Sequence, residues 1–200
     1  VEWLDRCIVL GQKEKERLAS CPELLKNAEE QLEKIVQTRK DFIEKYECNL
    51  LKQFAGFAKR GRIEILASCG THAFLPHYAD MPEVLNAQVE TGIMSHRHFF
   101  GRAPDGFWLP YMGYVKGIER TLRSYGINYT VLDTHGILFS ENAPKTGIFV
   151  PDRCWNSLVV FGRDGEASQK INGCEGFSSN PVYKNQEKDI GFELEESELE

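Results

Sequence analysis

The chain reads as an α/β protein built from parallel β/α units. Three observations point there. From Arg62 onward, short apolar runs alternate with stretches of helical spacing. Each of four runs stops abruptly in a polar cluster. Before Arg62 the pattern is helical and carries no strand signal. Strands that alternate with helices imply parallel pairing, because a parallel neighbour is reached only through a crossover connection.

The remaining elements are arranged around Gly106-Phe107-Trp108-Leu109-Pro110-Tyr111-Met112-Gly113-Tyr114. A glycine opens this stretch, apolar residues follow and a proline closes it, which predicts a short buried strand over 107–109. The spacing over 115–125 then predicts a helix closed by Gly126. Tyr111 and Met112 stand at the carboxyl end of the strand, with Trp108 below them. In β/α folds that end faces the mouth of the active site.

Taken in order, residues 1–59 predict three helices. In the first, Leu4, Ile8 and Leu18 punctuate charged residues. Ser20-Cys21-Pro22-Glu23 marks the start of the second, with Ser20 or Cys21 at the cap and Pro22 in the first turn. That helix carries Leu24, Leu25, Ala28, Leu32, Ile35, Val36, Phe42 and Ile43 on one broad stripe. A third helix covers 50–59 and stops at Gly61. The charged faces read as solvated. Residues 63–68 predict a strand ending in Cys69-Gly70-Thr71-His72. A helix over 82–99 begins at Pro82 and turns Val84, Leu85, Val89 and Ile93 inward. Strands over 129–132 and 158–161 end in Asp133-Thr134-His135-Gly136 and Gly162-Arg163-Asp164. No clear helix follows the last strand, and the acidic stretch 187–200 is expected to fray. The expectation is an internal piece of a longer domain, or a chain that has lost its ends.

Composition narrows the function classes. The chain has 200 residues, 42% hydrophobic and 27% charged, with a formal net charge of -6. That is enough for one sizeable core. It leaves no basic footprint for nucleic acid. No apolar run reaches membrane-spanning length, so no membrane partner is expected. Val1-Glu2-Trp3-Leu4-Asp5 is neither a secretion signal nor a transit peptide. Cys7, Cys21, Cys48, Cys69, Cys154 and Cys174 are widely spaced and form no C-x-x-C pair, which argues for reduced thiols, a cytoplasmic setting and no structural zinc.

A parallel sheet brings Thr71/His72, Tyr111, Asp133/His135 and Arg163/Asp164 to one face, where β/α enzymes build their sites. The residues there resemble glycoside hydrolase family 57, and within it the 1,4-α-glucan branching enzymes. The matching pieces are Ala67-Ser68-Cys69-Gly70-Thr71-His72-Ala73-Phe74-Leu75-Pro76 and Gly106-Phe107-Trp108-Leu109-Pro110 with Gly113-Tyr114. Leu132-Asp133-Thr134-His135-Gly136 and Phe161-Gly162-Arg163-Asp164 also match, as do Asn180-Pro181-Val182-Tyr183 and Asp189-Ile190-Gly191-Phe192. The resemblance implies a partial, distorted seven-stranded β/α barrel with an amino-terminal helical region. In those terms residues 1–192 form one incomplete catalytic domain, with a helical insertion over 1–61, β/α units over 62–192 and an acidic tail over 193–200.

The implied chemistry is a retaining double displacement on α-glucans such as amylose, glycogen or maltooligosaccharides, with no cofactor and no metal. One carboxylate attacks the anomeric carbon, while a second carboxyl group about 5 Å away acts as acid and then base. A branching enzyme passes the glycosyl group to a sugar hydroxyl, and an amylase relative passes it to water. His72, Trp108, Asp133, His135, Arg163 and Ser179 are the matched substrate-binding residues.

Tyr111 holds the position of the family's nucleophilic Glu. The acid/base Asp is expected beyond the end of this chain, and the amino-terminal His-containing strand motif is missing. The Trp that follows Gly-Arg-Asp in branching enzymes is replaced near Ile171-Asn172. A Tyr nucleophile has precedent in sialidases but needs a neighbouring base. The expectation is therefore an inactive glucan-active chain. A non-catalytic glucan-binding module with Trp108, Tyr111 and Tyr114 in its cleft is the alternative. A metal-dependent polysaccharide deacetylase is a third reading, prompted by five histidines and Asp133. Against it, His96 and His98 are two apart and face different sides of a helix. His77, His96 and His98 read as surface or helix-end residues, and Cys69 as a buried cleft thiol.

Overall fold

Three amino-terminal helices form where the spacing predicts them: α1 (Glu2–Arg17), α2 (Pro22–Lys40) and α3 (Leu50–Lys59). Pro22 is the first residue of α2 and Cys21 caps it, as a fixed φ and a missing N–H favour. The end of the predicted second helix, with Phe42 and Ile43, winds as a π turn over Asp41–Lys45. In this computed structural model, residues 1–183 and 190–199 are described. The chain divides into two compact units, residues 1–57 with 181–200, and residues 58–180. In the first unit α1 lies against α2, tied by Lys15–Glu29 at 2.8 Å and by Arg39–Asp5. None of the apolar stripe on α1 or α2 is fully buried. The acidic stretch expected to fray carries two helical turns, Ile190–Glu193 and Glu196–Leu199, and Arg17 reaches Glu193 at 2.6 Å. Asp189 of the quoted motif lies outside the described residues.

The second unit is built on a five-stranded sheet. Its strands are β1 (Ala67–Ser68), β2 (Gly106–Trp108), β3 (Tyr129–Asp133), β4 (Asp152–Arg153) and β5 (Val159–Arg163), in the order β1-β2-β3-β5-β4. The first four strands in that order pair in parallel, and only β4 at the edge runs antiparallel. The fold is thus α/β, a partial β/α barrel with a helical region at its amino end. β1 is shorter than the predicted 63–68. It sits at the edge, and its sole neighbour β2 is three residues long, so little ladder is available.

The helices that connect the parallel strands are α4 (Pro82–Phe100), α5 (Ile118–Ser124) and α6 (Thr134–Leu138), and α7 (Gly165–Asn172) follows the last strand. α5 begins three residues later than the spacing predicts. Gly117 ahead of it takes φ +112, a left-handed conformation open mainly to glycine, and the helix starts only after it. α6 and α7 correct the sequence reading, which placed polar loops there. Asp133 caps α6 through Thr134 N at 2.7 Å, and Asp164 caps α7 through Ala167 N at 3.0 Å. The strand-end carboxylates were legible as polar clusters, and their second role as caps is what makes the short helices.

Phe107, Leu109, Ile118, Leu122, Ile127, Leu158 and Val89 are fully buried between sheet and helices. Burial of each such side chain stabilises by about 1.5–3 kcal/mol. Leu85, Val89 and Ile93 of α4 point inward as predicted, while Val84 is half-buried. His96, read as a surface or helix-end residue, stands near the end of α4 but is buried. Its ring nitrogens lie 3.1 Å from the Arg102 carbonyl and 3.0 Å from the Ile65 carbonyl, joining the end of α4 to the entry of β1. A neutral imidazole carries one N–H and so donates to one of these two carbonyls.

α4 lies directly on β1 because Gly92 has no side chain. A Cβ there would overlap the Ser68 carbonyl oxygen, which is backbone and cannot rotate away. Gly92→Ala is therefore expected to destabilise the protein by about 2 kcal/mol or more, as overpacking against main chain does. A melting temperature lowered by roughly 5 °C or more would register this. An unchanged melting temperature would contradict it.

Candidate active site

Strand polarity decides where the polar clusters go. Since β1, β2, β3 and β5 run in parallel, their carboxyl ends share one edge of the sheet. His72 follows β1, Tyr111 follows β2, Asp133 ends β3 and Arg163 ends β5. Adjacent clusters meet across neighbouring strands. The His72 and Tyr111 rings stand edge to face, with centroids 5.4 Å apart. Asp133 and Arg163 face each other in the β3–β5 register, and the guanidinium Nη2 donates to Asp133 Oδ2 at 2.5 Å.

The Tyr111 turn is strained. Pro110–Met112 forms a 3-10 turn, and Tyr111 and Met112 take φ of +57° and +53°. His72, at the end of the neighbouring strand, takes +54°. Left-handed backbone at a residue with a side chain costs on the order of 1 kcal/mol or more and gathers at functional sites. The consequence is that the Tyr111 ring is thrown outward and is 71% exposed. Phe74 completes the aromatic group, its ring 6.3 Å from Tyr111 and 4.9 Å from His77. The sequence reading missed Phe74 and His77 as members of this group. Trp108 is half-buried below, and its carbonyl accepts from Ser68 Oγ at 3.0 Å.

Asp133 is already occupied. One oxygen caps α6 and the other takes Arg163, while His135 Nδ1 stands 3.9 Å from that second oxygen. Thr134 Oγ1 donates to the Arg163 carbonyl, fixing the two strand ends together. His135 is exposed beside this pair. Ser179 lies on the 3-10 turn Phe177–Ser179, half-buried, where its N–H donates to the Gly176 carbonyl at 3.1 Å. Burial pushes the Cys69 thiol up to about 11, so it is not a thiolate at neutral pH. Among the described residues, no three His, Cys, Asp or Glu side chains gather closely enough to hold a metal ion.

Tyr114, expected in the aromatic cleft, is anchored by a buried carboxylate. Its hydroxyl donates to Glu119 Oε2 at 2.8 Å. Glu119 is 2% exposed. It also accepts from the Gly117 N–H at 2.7 Å and from Trp155 Nε1 at 3.2 Å. Its main-chain carbonyl accepts from Asn156 Nδ2 at 2.8 Å. Burial alone would raise the Glu119 carboxyl, but the Tyr114, Gly117 and Trp155 donors outweigh it and hold the carboxyl below its usual range. Burial, and then the bond to Glu119, push the Tyr114 phenol up. This carboxylate therefore fastens the segment following Tyr111 to the β4–β5 turn. Nothing in the sequence marked it beyond a Glu near a helix start.

The strained, aromatic rim lies at the carboxyl edge of a parallel sheet, the edge at which α/β enzymes build their sites. The particular family follows from comparison: the profile of Glycosyl hydrolase family 57 matches residues 9–183, and the chain belongs to that family. Over 105 residues it is 28% identical to the 1,4-alpha-glucan branching enzyme of Thermococcus kodakarensis, covering 45% of this chain and 15% of that enzyme. Among solved structures, the alpha-amylase AmyC from Thermotoga maritima superimposes with a TM-score of 0.83 at 30% identity, over 98% of this chain and 38% of that one. The branching enzyme of Pyrococcus horikoshii shares the fold with a TM-score of 0.78 at 23% identity, over 90% of this chain and 35% of that one. The chain thus spans little more than a third of the solved relatives and a smaller part of the curated one.

Because Glu119 is held below its ordinary value in the folded state, it contributes stability above the usual carboxylate range near 4. That contribution is lost as pH falls through the folded value. Glu119→Gln is expected to lower stability at neutral pH by about 1–3 kcal/mol, since a charged acceptor of three donors is replaced. The variant should also lose less further stability on acidification. Equal pH dependence of the melting temperature in the two proteins would contradict this.

Proposed function

We propose that the strand-end rim is an α-1,4-glucan site of the branching-enzyme kind, and that in this chain it grips glucan without turning it over. The observation that carries the proposal is Tyr111. It stands exposed at the carboxyl end of β2, where the family's nucleophilic Glu belongs, and presents a ring and a hydroxyl in place of a charge. A retaining displacement needs an anionic nucleophile at the anomeric carbon and an acid/base carboxyl group roughly 5 Å from it. The groups beside Tyr111 are the rings of His72 and Phe74, not a carboxylate. Asp133, the carboxylate among the proposed site residues, is committed to Arg163 and to the α6 cap.

Family membership and the branching-enzyme relative support α-glucan as ligand. The rim offers what sugar recognition uses, aromatic faces for the C–H side of a pyranose and fixed polar groups for its hydroxyls. In this reading His72, Tyr111 and Trp108 supply the faces. Asp133, His135, Arg163 and Ser179 supply the hydroxyl partners. The exposed aromatic group also favours the second reading, a non-catalytic glucan-binding module. The six free cysteines support a reducing, cytoplasmic setting.

Incubation with amylose is expected to produce no α-1,6 branches and no reducing ends above background. Calorimetric titration with maltoheptaose should show binding, and Tyr111→Ala should weaken it several-fold, the loss of about 1 kcal/mol of stacking. Branch formation by the unaltered chain would overturn the proposal for Tyr111. Unchanged affinity in the variant would remove Tyr111 from the site.

A further inference from the structure

One aromatic residue away from the rim combines exposure with immobilisation. Trp155 is 73% exposed. A large apolar side chain so open to water is ordinarily free to move, but this one is held at three points. Its indole Nε1 donates to the buried Glu119 carboxylate. The Arg120 guanidinium lies over the ring, 5.2 Å from its centroid. Its own turn is closed by the Cys154 N–H to the Leu158 carbonyl at 2.8 Å and by the Ser157 N–H to the Cys154 carbonyl at 2.9 Å. The next residue is fastened too, because Asn156 Nδ2 donates to the Glu119 carbonyl and its Oδ1 accepts from the Leu158 N–H. A ring that is pre-ordered and already solvent-facing loses little freedom when a ligand stacks on it.

We infer that Trp155 is a second glucan-contact point, a stacking surface for the C–H face of a pyranose ring, separate from the rim. The inference rests on the glucan reading proposed above for its choice of ligand. The position fits a polymer rather than a single sugar. Trp155 lies in the turn that enters β5, whereas Arg163 ends β5 at the rim. Four intervals of about 3.3 Å place the two ends of that strand roughly 13 Å apart, so the turn and the rim belong to opposite ends of β5. The exposed Arg120 over one face of the ring offers a charged hydroxyl partner there. Indole stacking with polar groups at its margin is the arrangement by which planar apolar faces with polar edges are recognised.

The three tryptophans, Trp3, Trp108 and Trp155, give three indole N–H resonances in a nitrogen-15 spectrum, and Trp155→Phe assigns the one in question while keeping a ring at the site. On titration of the intact chain with maltoheptaose, the Trp155 resonance is expected to move and saturate in the millimolar range. Trp155→Ala should weaken binding at this point about tenfold and leave the Trp108 response in place. A Trp155 resonance that stays still while Trp108 moves would overturn this inference and leave the rim proposal standing. Movement of Trp155 alone would uphold it and count against the rim. If neither resonance moves, both readings fall.

Discussion

The parallel ladder between β3 and β5 is the constraint on which the site depends. It runs in register from Tyr129 opposite Val159 to Asp133 opposite Arg163. A one-residue slip would turn every side chain to the other face and part the Asp133–Arg163 pair. Buried Leu132 and Val160 hold the register from within the core, and Thr134 Oγ1 locks its end by donating to the Arg163 carbonyl. The rest of the rim follows by neighbourhood, because β2 pairs with β3 and β1 with β2, all in the same direction. Sheet polarity alone therefore brings four separate sequence clusters to one edge.

The rim also depends on what lies under it. Thr130 Oγ1 donates to the Phe107 carbonyl at 2.7 Å, a fully buried bond between the two central strands. Glu119 fastens the segment after Tyr111 at a distance from the rim itself. A carboxylate so deeply buried is tolerated only when its acceptors are filled, and here Tyr114, Gly117 and Trp155 fill them. The aromatic group of His72, Phe74 and Tyr111 can then be exposed and still ordered. Its strained φ values are supported by the packed turns beneath rather than by the exposed rings.

Much of this was legible in the sequence, and the misses have physical reasons. The strand ends at His72, Tyr111, Asp133 and Arg163 were readable because Pro, Gly and polar residues stop apolar runs cleanly. β1 came out short because pairing depends on the neighbour's length, which Ile63-Glu64-Ile65 cannot report. α6 and α7 were missed because each is short, 5 and 8 residues, although Asp133 and Asp164 carried the cap signal. His96 was read as a surface or helix-end residue, and it stands near the end of α4 but buried. Its burial comes from the Ile65 and Arg102 carbonyls, which are distant or irregular in sequence. Tyr114 was placed in the cleft with Tyr111, and its bond to the buried Glu119 had no signal in sequence. Phe74 came to the rim only through the turn after His72.

The most direct test of the account is a crystal structure of this chain soaked with maltoheptaose. The account expects glucose units along the carboxyl edge of the sheet, with a pyranose face on the His72–Tyr111 rings and hydroxyls bound at Asp133 and Arg163. A glucan bound elsewhere, with that edge left bare at saturating ligand, would contradict it.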